Sequence, residues 1–194
     1  AMVELTRLIG ERQGLGDVLA EGPKAAAAWI GPGAEQFAIA VKNQPFPMHE
    51  CRTRHGQALG YAVSPTGADH NHNFWDEGLA HSELGEGLQS LGVYTPVART
   101  ELNADKVRAY IPMTNWSWLH THLGHCLFIP WTRDQLVELV RGITGWETNV
   151  YELLLVGERG VTMARAFNLR EGLTRADDVL PPRMRTPHKS RTLN

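Results

Sequence analysis

Residues 132–168 constrain the fold most strongly, because two helix start signals each precede apolar residues at helical spacing. Thr132 and Gln135 form a capping box, in which each side chain bonds the backbone N–H of the other residue. Asn149 and Glu152 form a second box. The apolar residues that follow recur with helical period at Leu136, Val137, Leu139, Val140 and Ile143, and again at Val150, Leu153, Leu154, Val161, Ala164 and Phe167. The pattern predicts two helices, the first ending at Gly145 and the second at Asn168.

The first third of the chain is also mostly helical in pattern. Asp17 is expected to N-cap a helix, which Gly22 and the proline after it kink or end. Residues 37–41 are short, apolar and partly β-branched, so a buried strand or an extended run is expected there. A further helix is predicted over residues 55–64. These features place the chain in the mainly α class.

Residues 102–123 are rich in tryptophan, leucine and tyrosine, with Pro112 as an expected interruption and Gly124 as the helix terminator. The six tryptophans of the chain are expected in the core rather than on a recognition surface. Four glycines between residues 75 and 100 argue against one long helix there.

The composition is that of an ordinary globular protein, with 42% hydrophobic and 21% charged residues. A net charge of −2 argues against binding to nucleic acid or to an acidic membrane. Only Cys51 and Cys126 are present, which is typical of a reducing compartment, so a cytoplasmic location is expected. No apolar run approaches the ~20 residues needed to cross a bilayer.

Five of the nine histidines lie in two short clusters, which are the first places to look for chemistry. His120, His122 and His125 precede Cys126, and in a helix positions 122, 125 and 126 would share one face. Such a group could hold zinc or iron. Equally, the histidines could satisfy local hydrogen bonds while Cys126 is a small buried apolar residue. Spacing alone leaves both readings open.

The other cluster, residues 69–72, follows a helix and falls in a turn. His70 and His72 could act there as general acid or base, with Asp69 orienting a ring or capping the turn. Upstream, Arg52 could bind a phosphate through two hydrogen bonds, although arginine–glutamate pairs such as Arg52 with Glu50 are common.

Several motifs occur in an order that resembles the C-terminal helical part of the aldehyde:ferredoxin oxidoreductase family, the tungsten-pterin enzymes. The similarity covers roughly residues 3–183. The motifs are Gly14 to Gly22, Phe37 to Asn43, Pro45 to Arg52, Gly60 to Ser64, Gly67 to His70, the lone Cys126, Thr144 to Trp146, Gly157 to Arg159, Phe167 to Gly172 and Asp177 to Arg183. The resemblance implies a multihelical fold, as in the C-terminal domains of that family. Residues 2–40 then correspond to the end of its middle domain and residues 41–183 to its C-terminal domain, and residues 184–194 are expected to be an extended or disordered tail.

The resemblance also implies an activity and its residues. Family members oxidise aldehydes to carboxylic acids, passing two electrons from a tungsten or molybdenum bis-pterin through one [4Fe-4S] cluster to ferredoxin. His70 falls on the family's active-site histidine, a candidate proton donor or acceptor. His72 falls where the family has a pterin-contacting lysine. Cys126 falls on the fourth cluster ligand, a role suited to a thiolate.

This chain departs from the family pattern at several cofactor-contacting positions. Thr121 replaces an aspartate of the pterin-binding segment, His125 stands at a usual leucine, and the family's Asp-Pro-Arg is Glu50-Cys51-Arg52. We therefore expect cofactor contacts through His72, Thr121, His125 and Arg52 that differ from those of the family. The family's N-terminal three-cysteine motif is absent from this sequence, and one cysteine cannot hold a four-iron cluster.

The chain is accordingly expected to be a fragment or shortened homologue that alone binds neither cofactor and is inactive. Its expected partners are the missing N-terminal cofactor-binding domain or subunit, ferredoxin, and a second copy of the chain through exposed apolar surface.

Two alternatives stay open. The chain could belong to relatives that reduce aromatic acyl-thioesters, or it could be a stand-alone helical module that binds zinc through His122, His125 and Cys126 or serves as a structural subunit.

Overall fold

The computed structural model describes residues 1–73, 75–80, 86–89 and 92–187, and helices dominate this part of the chain. The helices are α1 (Met2–Gly10), α2 (Leu15–Ala20), α3 (Pro23–Ile30), α4 (His55–Val63), α5 (Asp76–Ala80), α6 (Glu86–Gln89), α7 (Ala104–Leu123), α8 (Arg133–Thr144) and α9 (Val150–Arg170). Strands β1 (Ala40–Val41) and β2 (Gln44–Pro45) form a short antiparallel hairpin. Single 3-10 turns cover Glu35–Phe37, Cys51–Thr53, Arg175–Asp177 and Pro182–Arg185. The predicted mainly α, multihelical class is confirmed.

The long helices α7, α8 and α9 share one hydrophobic core, to which each helix contributes buried apolar side chains. Its buried members are Trp116, Leu119, Leu136, Val137, Val140 and Leu153. Burying one such aliphatic or aromatic side chain stabilises the fold by about 1.5–3 kcal/mol. This core therefore fixes α7, the helix that carries the second histidine cluster, against α9.

Helices α7 and α9 cross closely at Gly157. A side-chain carbon built on Gly157 would lie 2.0 Å from the Asn115 carbonyl oxygen, a distance that no real contact reaches. Glycine is thus required there for the helices to approach each other. The same crossing is the reason that a glycine is tolerated in the middle of the longest helix.

A buried ion pair joins α5 to α7. Lys106 Nζ lies 2.6 Å from Asp76 Oδ1, and both side chains have no solvent exposure. The ammonium also donates to the carbonyl oxygens of Ala98 and Arg99 at 2.7 and 3.0 Å. All three ammonium protons therefore have acceptors, which is the condition under which a buried lysine is tolerated.

Asp76 also caps the start of α4. Its carboxylate accepts the backbone N–H groups of Gly56 and Gln57 at 3.0 and 2.8 Å. These are first-turn N–H groups that lack partners within the helix. One carboxylate thus joins α4, α5 and α7, and the His55 N–H bond to the Arg99 carbonyl at 2.8 Å adds the loop before α7.

The β-hairpin is held to the last part of the chain by a second group of charges. Lys42 in the hairpin turn lies 2.8 Å from Asp178 Oδ1 and donates to the Ala62 carbonyl at 2.7 Å. Arg165 of α9 donates to both oxygens of Asp178. The hydrogen bonds from Arg165 outweigh the effect of burial and, together with Lys42, lower the pKa of Asp178. The segment after α9 is therefore fixed against the hairpin.

Several predicted helix boundaries are confirmed. Both bonds of the Thr132–Gln135 capping box are present, at 3.0 and 3.2 Å. Asn149 accepts the Glu152 N–H at 3.0 Å and so caps α9. Gly145 ends α8 as predicted, whereas α9 runs to Arg170, two residues beyond the predicted end.

Other local predictions were wrong where packing overrides local preference. Helix α2 begins at Leu15, so Asp17 lies in its first turn rather than at the N-cap. Pro112 does not interrupt α7, which continues to Leu123. Proline costs about 3 kcal/mol in a helix interior. Buried Ala109 and Trp116 on either side of it supply the packing that keeps α7 continuous.

The prediction for the tryptophans and that for the tail were each wrong in part. Trp116 and Trp118 are buried, but Trp29 and Trp146 are largely exposed. In the tail, Met184 lies in the Pro182–Arg185 turn and packs against the buried cluster around Cys51 and Tyr61, so the tail is not extended from residue 184 onward. Residues 188–194 of that predicted tail lie outside the described residues.

None of the helices in the described ranges combines the length and the apolar character that crossing a bilayer requires.

Replacing Lys106 by methionine should lower the free energy of unfolding by about 3–5 kcal/mol, because Asp76 would keep a buried charge without its partner. Urea unfolding followed by circular dichroism measures this loss. Lys24→Met is the matched control, since Lys24 is exposed, and it should change stability by no more than about 0.5 kcal/mol.

The double variant Asp76→Asn with Lys106→Met should recover part of the loss, because asparagine keeps an acceptor for the α4 N–H groups without a charge. A Lys106→Met protein as stable as the wild type would contradict the role given to this pair.

Candidate functional site

The first histidine cluster lies on a loop that α4 and α7 hold from both sides. Residues 64–73 connect α4 to the segment before α5. Asn73 is buried and donates to the Gln57 carbonyl of α4 at 3.1 Å. Ser117 Oγ of α7 donates to the Asn71 carbonyl at 2.7 Å. Rigid helices thus position the loop, an arrangement common at functional sites.

His70 lies in a small aromatic group with His49 and Trp75. The ring centroids of His49 and His70 are 4.6 Å apart, and Trp75 meets the two rings edge-on at 4.8 and 6.1 Å. Burial lowers the pKa of His49, and the neighbouring His70 and Arg54 lower it further. His49 is therefore held as a neutral ring beside His70 at neutral pH.

His72 contacts the second cluster directly. Its Nδ1 bonds to Asp69, and its Nε2 lies 2.8 Å from Thr121 Oγ1 on α7. The ring also packs 4.7 Å from Trp118. The structure thus brings together two of the residues that the sequence assigned to cofactor contacts, His72 and Thr121, which are 49 positions apart.

Asp69 orients the His72 ring. Burial raises the pKa of Asp69, but the hydrogen bonds from His72 and from the Asn71 N–H at 2.8 Å lower it more, so that the pKa lies below its usual value. The carboxylate is therefore ionised at neutral pH. It can hold a proton on the Nδ1 of His72, which leaves Nε2 to face Thr121.

The second histidine cluster does not form the helical face that its spacing suggested. Helix α7 ends at Leu123, and Gly124 adopts the left-handed conformation with φ 71°, which only glycine adopts readily. His125 and Cys126 therefore leave the helix. The prediction of Gly124 as terminator is confirmed.

The residues of this second cluster turn to different neighbours. His120 Nδ1 lies 3.1 Å from His125 Nε2, and burial, with smaller effects of His125 and Arg133, lowers the pKa of His120 to about 4. His122 stacks on Trp118 at 5.9 Å and sits over Gly160 of α9. Across the described residues, no group of three or more histidine, cysteine or acidic side chains is placed to hold a metal. The zinc site of His122, His125 and Cys126, one of the alternatives that the sequence left open, is therefore not formed by the described residues, because the chain turns at Gly124.

The two cysteines lie in opposite environments. Cys51 has no solvent exposure, and burial raises the pKa of its thiol to about 12, so it stays an uncharged core residue. Cys126 is an exposed free thiol on the loop after α7. Exposed apolar side chains follow it at Leu127, Phe128, Ile129 and Trp131. We call residues 126–131 the Cys126 loop.

Arg52 contacts Glu50. Its guanidinium makes two hydrogen bonds to Glu50, at 2.8 and 2.6 Å. The Arg52 side chain lines a cleft together with Cys51, His55 and Met184. Among the described contacts, Arg52 is thus not joined to His72, Thr121 or His125, the other residues that the sequence assigned to cofactor contacts.

The sequence reasoning missed three residues near these clusters. His49 and Trp75 contact His70, and Arg133 stacks on Trp116 at 5.2 Å. His49 lies outside both clusters, in the motif Pro45 to Arg52, from which only Arg52 is a predicted cofactor contact. In the sequence, Arg133 is an ordinary first-turn residue of α8, and no local pattern indicates that it has a functional role.

Comparison with known proteins gives a consistent result. A sequence model of a protein family, described as aldehyde ferredoxin oxidoreductase, domains 2 and 3, matches residues 1–193. The chain is 30% identical over 178 residues to the tungsten-containing aldehyde ferredoxin oxidoreductases of Pyrococcus furiosus and Thermococcus kodakarensis. It is equally similar over 179 residues to the enzyme of that name from Pyrococcus abyssi. These matches cover 90–91% of this chain but only 27–28% of the relatives.

Asp69→Asn should destabilise the protein by about 2 kcal/mol at pH 7, because the charged acceptor of the His72 bond is lost. The pKa of Asp69 is lowered by folding, so its contribution is present above the unfolded-state value near pH 4 and is lost as the pH falls further. Urea midpoints of variant and wild type should therefore converge below about pH 4.

Asp105→Asn is the matched control, since Asp105 is exposed and pairs only with Arg108 among described residues. It should leave the urea midpoint nearly unchanged at both pH values. A difference between Asp69→Asn and wild type that did not shrink in acid would refute the role given to the Asp69 charge.

Proposed function

Because this chain belongs to the aldehyde ferredoxin oxidoreductase family, as domains 2 and 3 of it, we propose that it forms the C-terminal part of a tungsten- or molybdenum-pterin, iron–sulfur oxidoreductase. The proposed reaction oxidises aldehydes to carboxylic acids, with ferredoxin accepting the electrons. Tungsten is supported by the names of the relatives. The observation that carries the proposal is the His49–His70–Trp75 group, at the position where the resemblance expects an active-site histidine.

His70 is the proposed proton acceptor or donor. Oxidation of an aldehyde with water to an acid releases two electrons and two protons, so a group that can accept or donate a proton is needed beside the substrate. His70 is half-buried, and its backbone is fixed by the bond from Ser117 to the next residue, Asn71. The His49 ring limits its rotation on one side.

His72 and Thr121 are the proposed contacts to a pterin. They offer a ring nitrogen and a hydroxyl that can donate or accept, the groups needed along the polar edge of a pterin. The bound metal–pterin would supply the two-electron chemistry. His125 and Arg52 are further proposed contacts, and each of them, like His72 and Thr121, has a hydrogen-bond partner in this chain, at His120 and Glu50.

Cys126 is proposed as one ligand of a [4Fe-4S] cluster. Its thiol is exposed and free, whereas Cys51 is buried with a raised pKa. A thiolate is the ligand that iron–sulfur clusters use, and four are needed. The other three ligands would come from outside this chain, which spans 27–28% of the length of the curated relatives that it matches.

The Cys126 loop and the surface around it are the proposed contact for an N-terminal cofactor-binding domain or subunit. Phe128 is 82% exposed, and further exposed apolar side chains lie at Ile143 of α8, at Trp146 between α8 and α9, and at Tyr151 of α9. Apolar surface of this kind is typical of an interface. Residues 2–40 and 41–183 are proposed as parts of two domains of the complete enzyme. Ferredoxin and a second copy of the chain are the further proposed partners.

His70→Ala in the complete enzyme should lower aldehyde turnover by about 10²-fold or more, with tungsten and iron content unchanged, because a proton-transfer group contributes about 10²–10⁴ to the rate. Ferredoxin reduction measures turnover, and elemental analysis measures the metals. His55→Ala is the control, since His55 begins α4 and bonds to Arg99 through its backbone. Unchanged turnover in His70→Ala would remove His70 from the mechanism.

Cys126→Ser in the complete enzyme should abolish the iron–sulfur cluster, because serine does not replace the thiolate. Iron content and absorbance near 400 nm measure the cluster. Cys51→Ala is the matched control and should retain both signals, even though it removes a buried sulfur. Full cluster occupancy in Cys126→Ser would show that Cys126 is not a ligand.

A further inference from the structure

A cleft of about 240 Å³ lies beside the first histidine cluster, between the loop after α4, the middle of α7 and the start of α8. Its apolar walls include Trp75, Met113, Trp116 and Leu127. Asn71, Ser117 and Arg133 add polar groups. The cleft is therefore amphipathic: its walls are mostly aromatic and aliphatic, and Arg133 adds a positive charge.

Arg133 is the charged group of this cleft. Its guanidinium stacks on the Trp116 ring at 5.2 Å, and its Nε is buried without a hydrogen-bond partner. Within the described ranges, no carboxylate lies within 4.0 Å of it. Burial lowers the pKa of Arg133, which reflects the cost of keeping this charge away from water. The half-buried guanidinium thus has no anionic acceptor among the described residues, and its Nε has no hydrogen-bond partner there.

We propose that this cleft binds the carboxylate of a small organic acid with an apolar body, with Arg133 as the carboxylate ligand. The planar guanidinium matches a carboxylate through two parallel hydrogen bonds, better than any other side chain. No aspartate or glutamate is among the described residues that line the cleft, so an entering anion meets no negative charge there. The volume is below the roughly 300 Å³ at which drug-sized sites begin, which favours a small monocarboxylate.

The position of the cleft relates this carboxylate ligand to the carboxylic acid that the reaction would form, an inference that rests on the proposed function. Trp75 forms one wall of the cleft and also contacts the His70 ring at 6.1 Å. Asn71, another lining residue, follows His70 in the chain. A carboxylic acid formed beside His70 would therefore lie next to Trp75, a wall of the cleft that contains Arg133. Binding of a carboxylate itself requires no redox step and is testable separately.

The test titrates the 194-residue chain, labelled with ¹⁵N at the tryptophan indoles, with sodium benzoate and follows the indole N–H signals by NMR. Benzamide is the neutral ligand of matched shape. We expect a saturable shift of the Trp116 signal, assigned with Trp116→Phe, for benzoate and at least about tenfold weaker binding of benzamide. Arg133→Gln should weaken benzoate binding about tenfold or more, whereas Arg108→Gln, at an exposed arginine, should not.

Equal binding of benzoate and benzamide, the absence of a saturable shift, or unchanged benzoate affinity in Arg133→Gln would each overturn the proposal. Tighter binding of inorganic phosphate than of benzoate would also overturn it. If Arg133→Gln fails to fold, Arg133→Lys takes its place, and we expect reduced but measurable affinity because the charge stays and the planar fork is lost.

The outcomes also separate this proposal from the proposed function. Benzoate binding that fails while turnover still depends on His70 would overturn the carboxylate site alone. Benzoate binding in a protein whose complete enzyme does not oxidise aldehydes would support the site and overturn the function.

Discussion

The buried pair of Lys106 and Asp76 is the interaction on which the arrangement of the other elements depends. Desolvating two charges is costly, so such a pair persists only when every proton and lone pair has a partner. Here the ammonium reaches Asp76 and two loop carbonyls, and the carboxylate caps α4. The geometry is met only when α4, α5, α7 and the loop before α7 are all in place. The pair therefore specifies how these elements pack, more than it adds to stability.

The candidate site follows from that arrangement. The loop after α4 carries His70 and His72, and it can meet α7 only because α4 is fixed at its start by Asp76 and along its length by Asn73. Ser117 of α7 then holds the loop from the other side. The site is thus built on two rigid helices, which limits how far its side chains can move. The cleft with Arg133 lies on the same face of α7, so this helix contacts both the histidine loop and the cleft.

The histidines show why spacing alone could not decide between a metal site and local hydrogen bonds. Three histidines and a cysteine at positions 120–126 suggest a metal site only if the helix continues through them, and a left-handed Gly124 ends it. The rings contact local partners instead: His120 bonds to His125, and His122 stacks on Trp118. The contacts that matter for the proposed function join different clusters, His72 with Thr121 and His49 with His70. A local sequence pattern cannot predict such pairs, because they depend on how α4 and α7 pack.

The sequence by itself determined the helical class, the start of α8 at Thr132 and the helix ends at Gly124 and Gly145, because caps and left-handed glycines act within a few residues. Its motifs also indicated the family, which the match over residues 1–193 bears out. Only the tertiary structure decided that Pro112 stays within a helix, that Lys106 is buried, and that His49 and Arg133 lie beside the histidine loop. Each of these depends on contacts between distant residues, and local propensity is too weak to fix such contacts.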